Sequence, residues 1–257
     1  MYYQEKQLLF SPSDLNTFLE SDFASWMARF ELECRHLGCE PHLSLTSLGL
    51  PGIIEAKRDE LTEEIASIQK HGQTHEAQWL GSLKKKGQQV VDIGKIPRET
   101  AEKETLAAMK AGADIVYQAY LRTPPFAGHA DFLIRTEGKS KLGFWHYEVA
   151  DTKLARSTKA YFLLQLCCYA DMLEKIQGVR PRSIRVILGD KSEAVFPTDA
   201  FYHYYQSLRG SFEQFHGSFD SKVSQIKALV GTDACISTRR MHRVGRTSLT
   251  FWKTSQF

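Results

Sequence analysis

Two stretches of this sequence hold carboxylates inside otherwise apolar runs: Gly128-His129-Ala130-Asp131-Phe132-Leu133-Ile134 and Tyr147-Glu148-Val149-Ala150-Asp151-Thr152-Lys153. In an extended strand alternate side chains share a face, so Asp151 and Lys153 project together while Glu148 points the other way. Antiparallel pairing of the two stretches brings Asp131 beside Asp151. Two carboxylates at such a spot are costly to bury unless a cation compensates them, and Mg²⁺ takes oxygen ligands while keeping waters for chemistry. A lysine two residues further on adds fixed positive charge, which stabilises a developing oxyanion or positions an attacking hydroxide. Phosphodiester hydrolysis needs this combination of metal, activated water and fixed charge. An Asp-x-Lys at a strand end also makes ordinary surface ion pairs worth little, so the tripeptide takes its meaning from its surroundings.

The elements that must position these residues are legible from periodicity and punctuation. Ser11-Pro12-Ser13-Asp14 offers an N-cap serine, a proline at the first helical position and an acid at N3. Leu15, Phe18, Leu19, Phe23, Trp26, Met27 and Phe30 follow at helical spacing and predict one amphipathic helix to about residue 35. Residues 36–52 carry Gly38, Pro41, Gly49, Pro51 and Gly52 and predict an irregular connection. Helical character resumes over 54–70, is interrupted at Gly72, and returns over 74–86 with Trp79, Leu80 and Leu83 on one side. Lys84-Lys85-Lys86-Gly87 is a good helix end.

A strand is then expected over 89–96, a helix over 97–111 and a strand over 114–121. Residues 126–135 and 143–153 form the hairpin that carries the acids, joined by the polar run 136–141. A helix over 158–176, strands over 183–188 and 193–196, and a last helix over 199–219 complete the order. This succession predicts an α/β fold with a central mixed sheet flanked by helices. The expected division is an N-terminal helical region over 1–87 packing on a core over 88–220, then a basic tail over 221–257. That tail has no acidic residue after Asp233 while Arg239, Arg240, Arg243, Arg246 and Lys253 accumulate. It is either a nucleic-acid-binding arm or a divergent, poorly ordered ending, and the second is expected.

Composition fits such a domain and narrows its setting. The chain of 257 residues, 42% hydrophobic and 25% charged, can bury a sizeable core. A net charge of +3 signals no partner by itself, although a local basic groove attracts phosphates whatever the total. Cys34, Cys39, Cys167, Cys168 and Cys235 form no even framework, which predicts a reduced protein. The first ten residues lack a basic region followed by a long apolar run, and no apolar run reaches membrane-spanning length. A cytoplasmic protein with no membrane partner is expected.

The order of motifs resembles the RecB-like branch of the PD-(D/E)XK nuclease superfamily. Gly128 to Asp131 matches its GxxD motif, and Asp151-Thr152-Lys153 its (D/E)xK motif after a β-hairpin. Gln165 and Tyr169 match the QxxxY of the following helix and share one helical face. His75, in Gly72-Gln73-Thr74-His75-Glu76, stands where the branch carries an upstream histidine. The four elements occur in order over roughly residues 72–170, and phrases such as GADIVYQAYL and YEVADTKLA resemble a bacterial family of RecB-like nucleases.

The resemblance implies a restriction-endonuclease-like core and a Mg²⁺- or Mn²⁺-dependent nuclease that cuts DNA at or near single-stranded ends. Repair, recombination or processing is the implied setting, with a helicase as partner. Asp131, Asp151 and the Thr152 carbonyl would be metal ligands, with His75 completing the shell. Lys153 would be the catalytic lysine, and Gln165 and Tyr169 would orient the site or touch the DNA backbone. Each residue also has a plain reading: His75 as a hydrogen-bonded histidine, and Gln165 and Tyr169 as interior polar residues of a packed helix. His129 shares parity with Asp131 but matches no role in the family, and a structural histidine is expected.

Many members hold an iron–sulfur cluster on one N-terminal and three C-terminal cysteines. Here Ser21 stands where related sequences place the first, and Cys235 alone lies in the last third, so no cluster is expected. The alternative to an enzyme is an inactive nucleic-acid-binding or helicase-associated module that keeps the nuclease fold.

Overall fold

A computed structural model describes residues 1–38, 42–44, 53–55 and 63–220 of the chain. The basic tail over 221–257, most of the connection expected over 36–52, and Cys39 and Cys235 lie outside the described residues. The element order is β1 (Tyr2–Gln4), β2 (Gln7–Leu9), α1 (Pro12–Glu20), α2 (Asp22–Leu37), β3 (His42–Ser44), β4 (Ile53–Glu55), α3 (Glu63–Lys85), β5 (Val90–Asp92) and α4 (Arg98–Ala111). Then follow β6 (Ile115–Thr123), β7 (Phe126–Ser140), β8 (Gly143–Thr152), α5 (Ala160–Gln177), β9 (Ser183–Ile187), β10 (Glu193–Pro197) and α6 (Asp199–Gly217).

The fold is α/β. Six strands form one mixed sheet in the order β10-β9-β8-β7-β6-β5. The hairpin β7–β8 lies at its centre, antiparallel to β6 on one side, while β8 runs parallel to β9 on the other. The described residues fall into two compact units. One comprises Tyr3–Ser13 and residues 63–207, and contains this sheet. In it Trp79 and Leu83 of α3 cover Ile115, Phe132, Ala150 and Ile187, and the Trp79 ring meets Phe132 edge-on at 4.4 Å. Helix α5 is buried along most of its length, from Phe162 to Leu173, and its Gln177 bonds both the N–H and the C=O of Tyr147 on β8.

The other unit has a core of Trp26, Met27, Phe30 and Cys34 from α2, against which Phe23, Phe215 and Phe219 pack. Trp26 and Phe30 stack at 5.2 Å, and Ser25 Oγ lies 2.9 Å from His216 Nε2.

Three local expectations change. The single helix expected to residue 35 is two, because Ser21 takes an extended conformation and its Oγ accepts from Ala24 N at 3.1 Å, capping a new helix. Helix α3 runs unbroken through Gly72, where an added Cβ would meet nothing within 4 Å. A helical glycine costs only about 1 kcal/mol, less than burial of Trp79 and Leu83 returns. Residues 42–44 and 53–55, within and just past the expected irregular connection, pair as antiparallel strands. Among the described residues no helix is long and apolar enough to cross a membrane.

Candidate active site

The register of the central hairpin settles where the two acids stand. Phe132 faces Ala150 and Leu133 faces Val149, so the next step places Asp131 opposite Asp151. Both alternate with residues that pack beneath Trp79, and therefore leave the sheet on its other face. Asp131 Oδ2 accepts two hydrogen bonds from Thr152, from N–H at 3.0 Å and from Oγ1 at 3.2 Å. Lys153 Nζ lies 2.5 Å from Asp151 Oδ2 and 5.5 Å from the Phe162 ring centroid. Asp131, Asp151 and Lys153 thus lie on the face that strand parity expects, and Thr152, of the other parity, joins them at the end of β8 through its N–H and Oγ1.

Electrostatics at this point are strained toward excess negative charge. Burial raises the Asp131 carboxyl well above its usual range, and the charges of Asp151 and Glu76 add to the effect. Lys153 and the Thr152 N–H pull it back without restoring it. Burial alone would lower Lys153, but Asp151 and Asp131 outweigh it and hold the ammonium above the ordinary lysine range. It stays charged at neutral pH.

Gln165 and Tyr169 are four apart on α5 and hydrogen-bonded to each other. The Tyr169 hydroxyl donates to the His129 carbonyl at 2.6 Å, two residues before Asp131. Burial first, then the charges of Asp131 and Asp151, hold this phenol well above its usual range, so it remains a donor. Gly128 lies against the same tyrosine: a Cβ there would stand 3.1 Å from Tyr169 Oη and 3.0 Å from Pro12 Cδ. A side chain at 128 would therefore push apart the contact that ties α5 to the strand carrying Asp131.

His129 and Glu148 have their own partners. His129 Nδ1 donates to the Gln118 carbonyl at 3.0 Å. Glu148, buried on the face opposite to Asp151, accepts from Ser183 N at 3.1 Å and Ser183 Oγ at 2.7 Å, and pairs with Arg185 at 3.2 Å. It is a structural acid that clamps β8 to β9.

His75 is buried one turn before Trp79, and among the described residues its Nε2 has no hydrogen-bond partner. No three His, Cys, Asp or Glu side chains among the described residues are grouped to hold a metal ion. The donor chemistry nevertheless suits a divalent cation. Burial and the Asp151 charge raise the Asp131 carboxyl, and the buried His75 Nε2 has no partner among the described residues.

The residue that motif spacing passed over is Glu76. Gln118 Nε2 donates to its Oε1, and its charge is felt at Tyr117 and at Asp131. An acid directly after His75 was the one signal available in sequence.

The backbone below Lys153 is firmly held. Lys153 N donates to Ile187 O at 2.8 Å and Gly189 N to Ala155 O at 3.1 Å, while a Cβ on Gly189 would lie 2.6 Å from Leu154 O. The sequence matches no protein-family model and no curated protein.

Proposed function

We propose that this protein is a metal-dependent nuclease with a restriction-endonuclease-like core, of the RecB-like PD-(D/E)XK type. It would hydrolyse DNA phosphodiester bonds at or near single-stranded ends. What carries the reading is that Asp131 and Asp151 lie one step beyond the Phe132–Ala150 pair, with Thr152 bonded to Asp131 and Lys153 Nζ on Asp151.

Asp131, Asp151 and the Thr152 carbonyl are the groups that would hold Mg²⁺ or Mn²⁺, with His75 as the additional donor. A residue's N–H and C=O leave the same edge of a strand. Since the Thr152 N–H meets Asp131, its carbonyl is on that edge too. A bound divalent ion supplies Lewis acidity toward the phosphate and activates the attacking water. Lys153, charged and pinned beside Asp151, stabilises negative charge that develops on the phosphate. Gln165 and Tyr169 fix the backbone at His129 and so the direction in which Asp131 leaves β7.

Purified protein should cut single-stranded DNA only when Mg²⁺ or Mn²⁺ is added. Asp151→Ala and Lys153→Ala should each lower the rate by about 10²–10³-fold with the far-UV circular dichroism unchanged. Equal cleavage by the variants would trace the activity to a contaminant and remove the nuclease reading. Salt-dependent DNA binding without metal-dependent cleavage would select a non-catalytic binding module instead.

A further inference from the structure

Lys153 shares its end of the sheet with further positive charge. Between Asp151 and Asp171 the chain has no acidic residue, and in that interval it carries Lys153, Arg156 and Lys159. The segment leaves β8 where its parallel partner β9 also ends, and enters α5 at Ala160. Ligands of open α/β sheets gather outside such carboxyl ends of the strands.

Contacts between rings and cations link this segment to Lys153 step by step. Lys153 Nζ lies 5.5 Å from the centre of the Phe162 ring, and Phe162 meets Tyr161 edge-on at 4.6 Å. Lys159 Nζ stands over the Tyr161 ring at 5.8 Å. Phe162 is buried, Tyr161 half-buried and Lys159 exposed. A fixed phenylalanine thus separates two ammonium groups, one paired with Asp151 and one exposed with an aromatic ring beneath it. An exposed contact between a cation and a ring stabilises a fold little, so its weight falls on what it presents outward.

What it presents is one positive charge next to one flat apolar face. A single nucleic-acid strand offers the complement, with a phosphate on each nucleotide and bases whose faces are uncovered. An acidic peptide would meet the charge and leave the ring unused, and in a duplex stacking covers the base faces. Lys153 and Lys159 are two ring contacts apart. A strand whose phosphodiester lies at Lys153 therefore reaches Lys159 with a neighbouring nucleotide.

We propose that Lys159 and Tyr161 form a nucleotide subsite beside Lys153, the ammonium holding a strand phosphate and the ring stacking on an unpaired base. The subsite rests on the nuclease reading above for its purpose, which is to hold the strand whose phosphodiester meets Lys153.

The test is fluorescence anisotropy of a labelled oligothymidylate with the full chain, in EDTA and at rising KCl, repeated with a blunt duplex. Wild type is compared with Lys159→Ala, Tyr161→Ala, Tyr161→Phe and Lys103→Ala, the last removing an exposed cation of α4. Lys159→Ala should lower the slope of log affinity against log salt by about 0.7 on the single strand. Tyr161→Ala should keep that slope but weaken single-strand binding by about 5–150-fold, with duplex binding unchanged. Tyr161→Phe and Lys103→Ala should bind as wild type does. An unchanged slope in Lys159→Ala, the same slope change in Lys103→Ala, or an equal loss of duplex binding in Tyr161→Ala would overturn the subsite. If Tyr161→Ala does not fold, Tyr161→Leu takes its place, since it keeps apolar packing on Phe162 without a flat face. Cleavage of the same oligothymidylate by wild type with Mg²⁺ or Mn²⁺ is measured alongside. Cleavage together with any of the three overturning results removes the subsite and leaves the nuclease reading standing. The expected binding pattern with no cleavage supports the subsite and overturns the nuclease reading.

Discussion

Thr152 gives both of its donors to one oxygen of Asp131, the backbone N–H at 3.0 Å and the hydroxyl at 3.2 Å. The last residue of β8 thereby fixes the acid of β7 at the point where the ladder between the two strands ends. The middle residue of the Asp151-Thr152-Lys153 run is thus the tie between the two acidic motifs.

Thr152→Val keeps the β-branched shape and the backbone donor but loses the hydroxyl bond to a carboxylate. We expect it to lower stability by about 1–2 kcal/mol, and Thr152→Ser to restore most of the loss. Urea unfolding of the two variants measures both, and a neutral Thr152→Val would mean that the backbone N–H alone holds Asp131.

Gly128→Ala places a methyl 3.1 Å from Tyr169 Oη and 3.0 Å from Pro12 Cδ. Neither neighbour is the free end of a flexible chain, so α5 or the β7 backbone must shift and the Tyr169–His129 bond must lengthen. A cost of about 1–3 kcal/mol is expected, with a larger fall in cleavage than the stability loss explains. The added effect of Tyr169→Phe should be small in the Gly128→Ala background, because the bond it removes is already weakened.

Glu148→Ala separates an internal carboxylate from one proposed to hold the metal. It leaves Ser183 and Arg185 without their acceptor and should cost about 2–4 kcal/mol. Cleavage per folded molecule should stay at the wild-type level, unlike that of Asp151→Ala. Matching losses of activity in the two variants at a temperature where both are folded would put Glu148 in the site after all.

The second unit has its own pH dependence. His216 is pushed down to about 4, first by burial and then by Arg29 and the chain N-terminus, with Asp14 opposing. A histidine whose folded pKa lies below its unfolded value of about 6.5 binds fewer protons in the folded state. Stability is therefore fully present above about pH 6.5 and is lost as the pH falls toward 4, by about 3 kcal/mol in all. Denaturation midpoints of wild type and His216→Phe at pH 7 and pH 5 should differ in this sense, the variant losing less on acidification.

Much of the site is legible in sequence because strand chemistry leaves little freedom. Once Asp131 and Asp151 lie on paired strands, a one-residue slip would turn Phe132 and Ala150 out of the core, so the register is fixed and with it the opposition of the acids. Glu148 falls to the other face by the same rule. Glu76 was overshadowed by His75, since helical spacing gives the side of a helix but not its depth over the sheet. The break at Ser21 was signalled by a serine before an aspartate, yet the apolar spacing runs on through it.

The close approach of Gly189 to Leu154 has a consequence for how Lys153 moves. Its amide is tethered to Ile187, Ala155 accepts from Gly189 in the turn after β9, and that glycine packs closely against the Leu154 carbonyl. The main chain here has almost no play. In the proposed reaction, any adjustment to the phosphate falls to the four-carbon stem of the lysine, an articulated arm on a rigid mount.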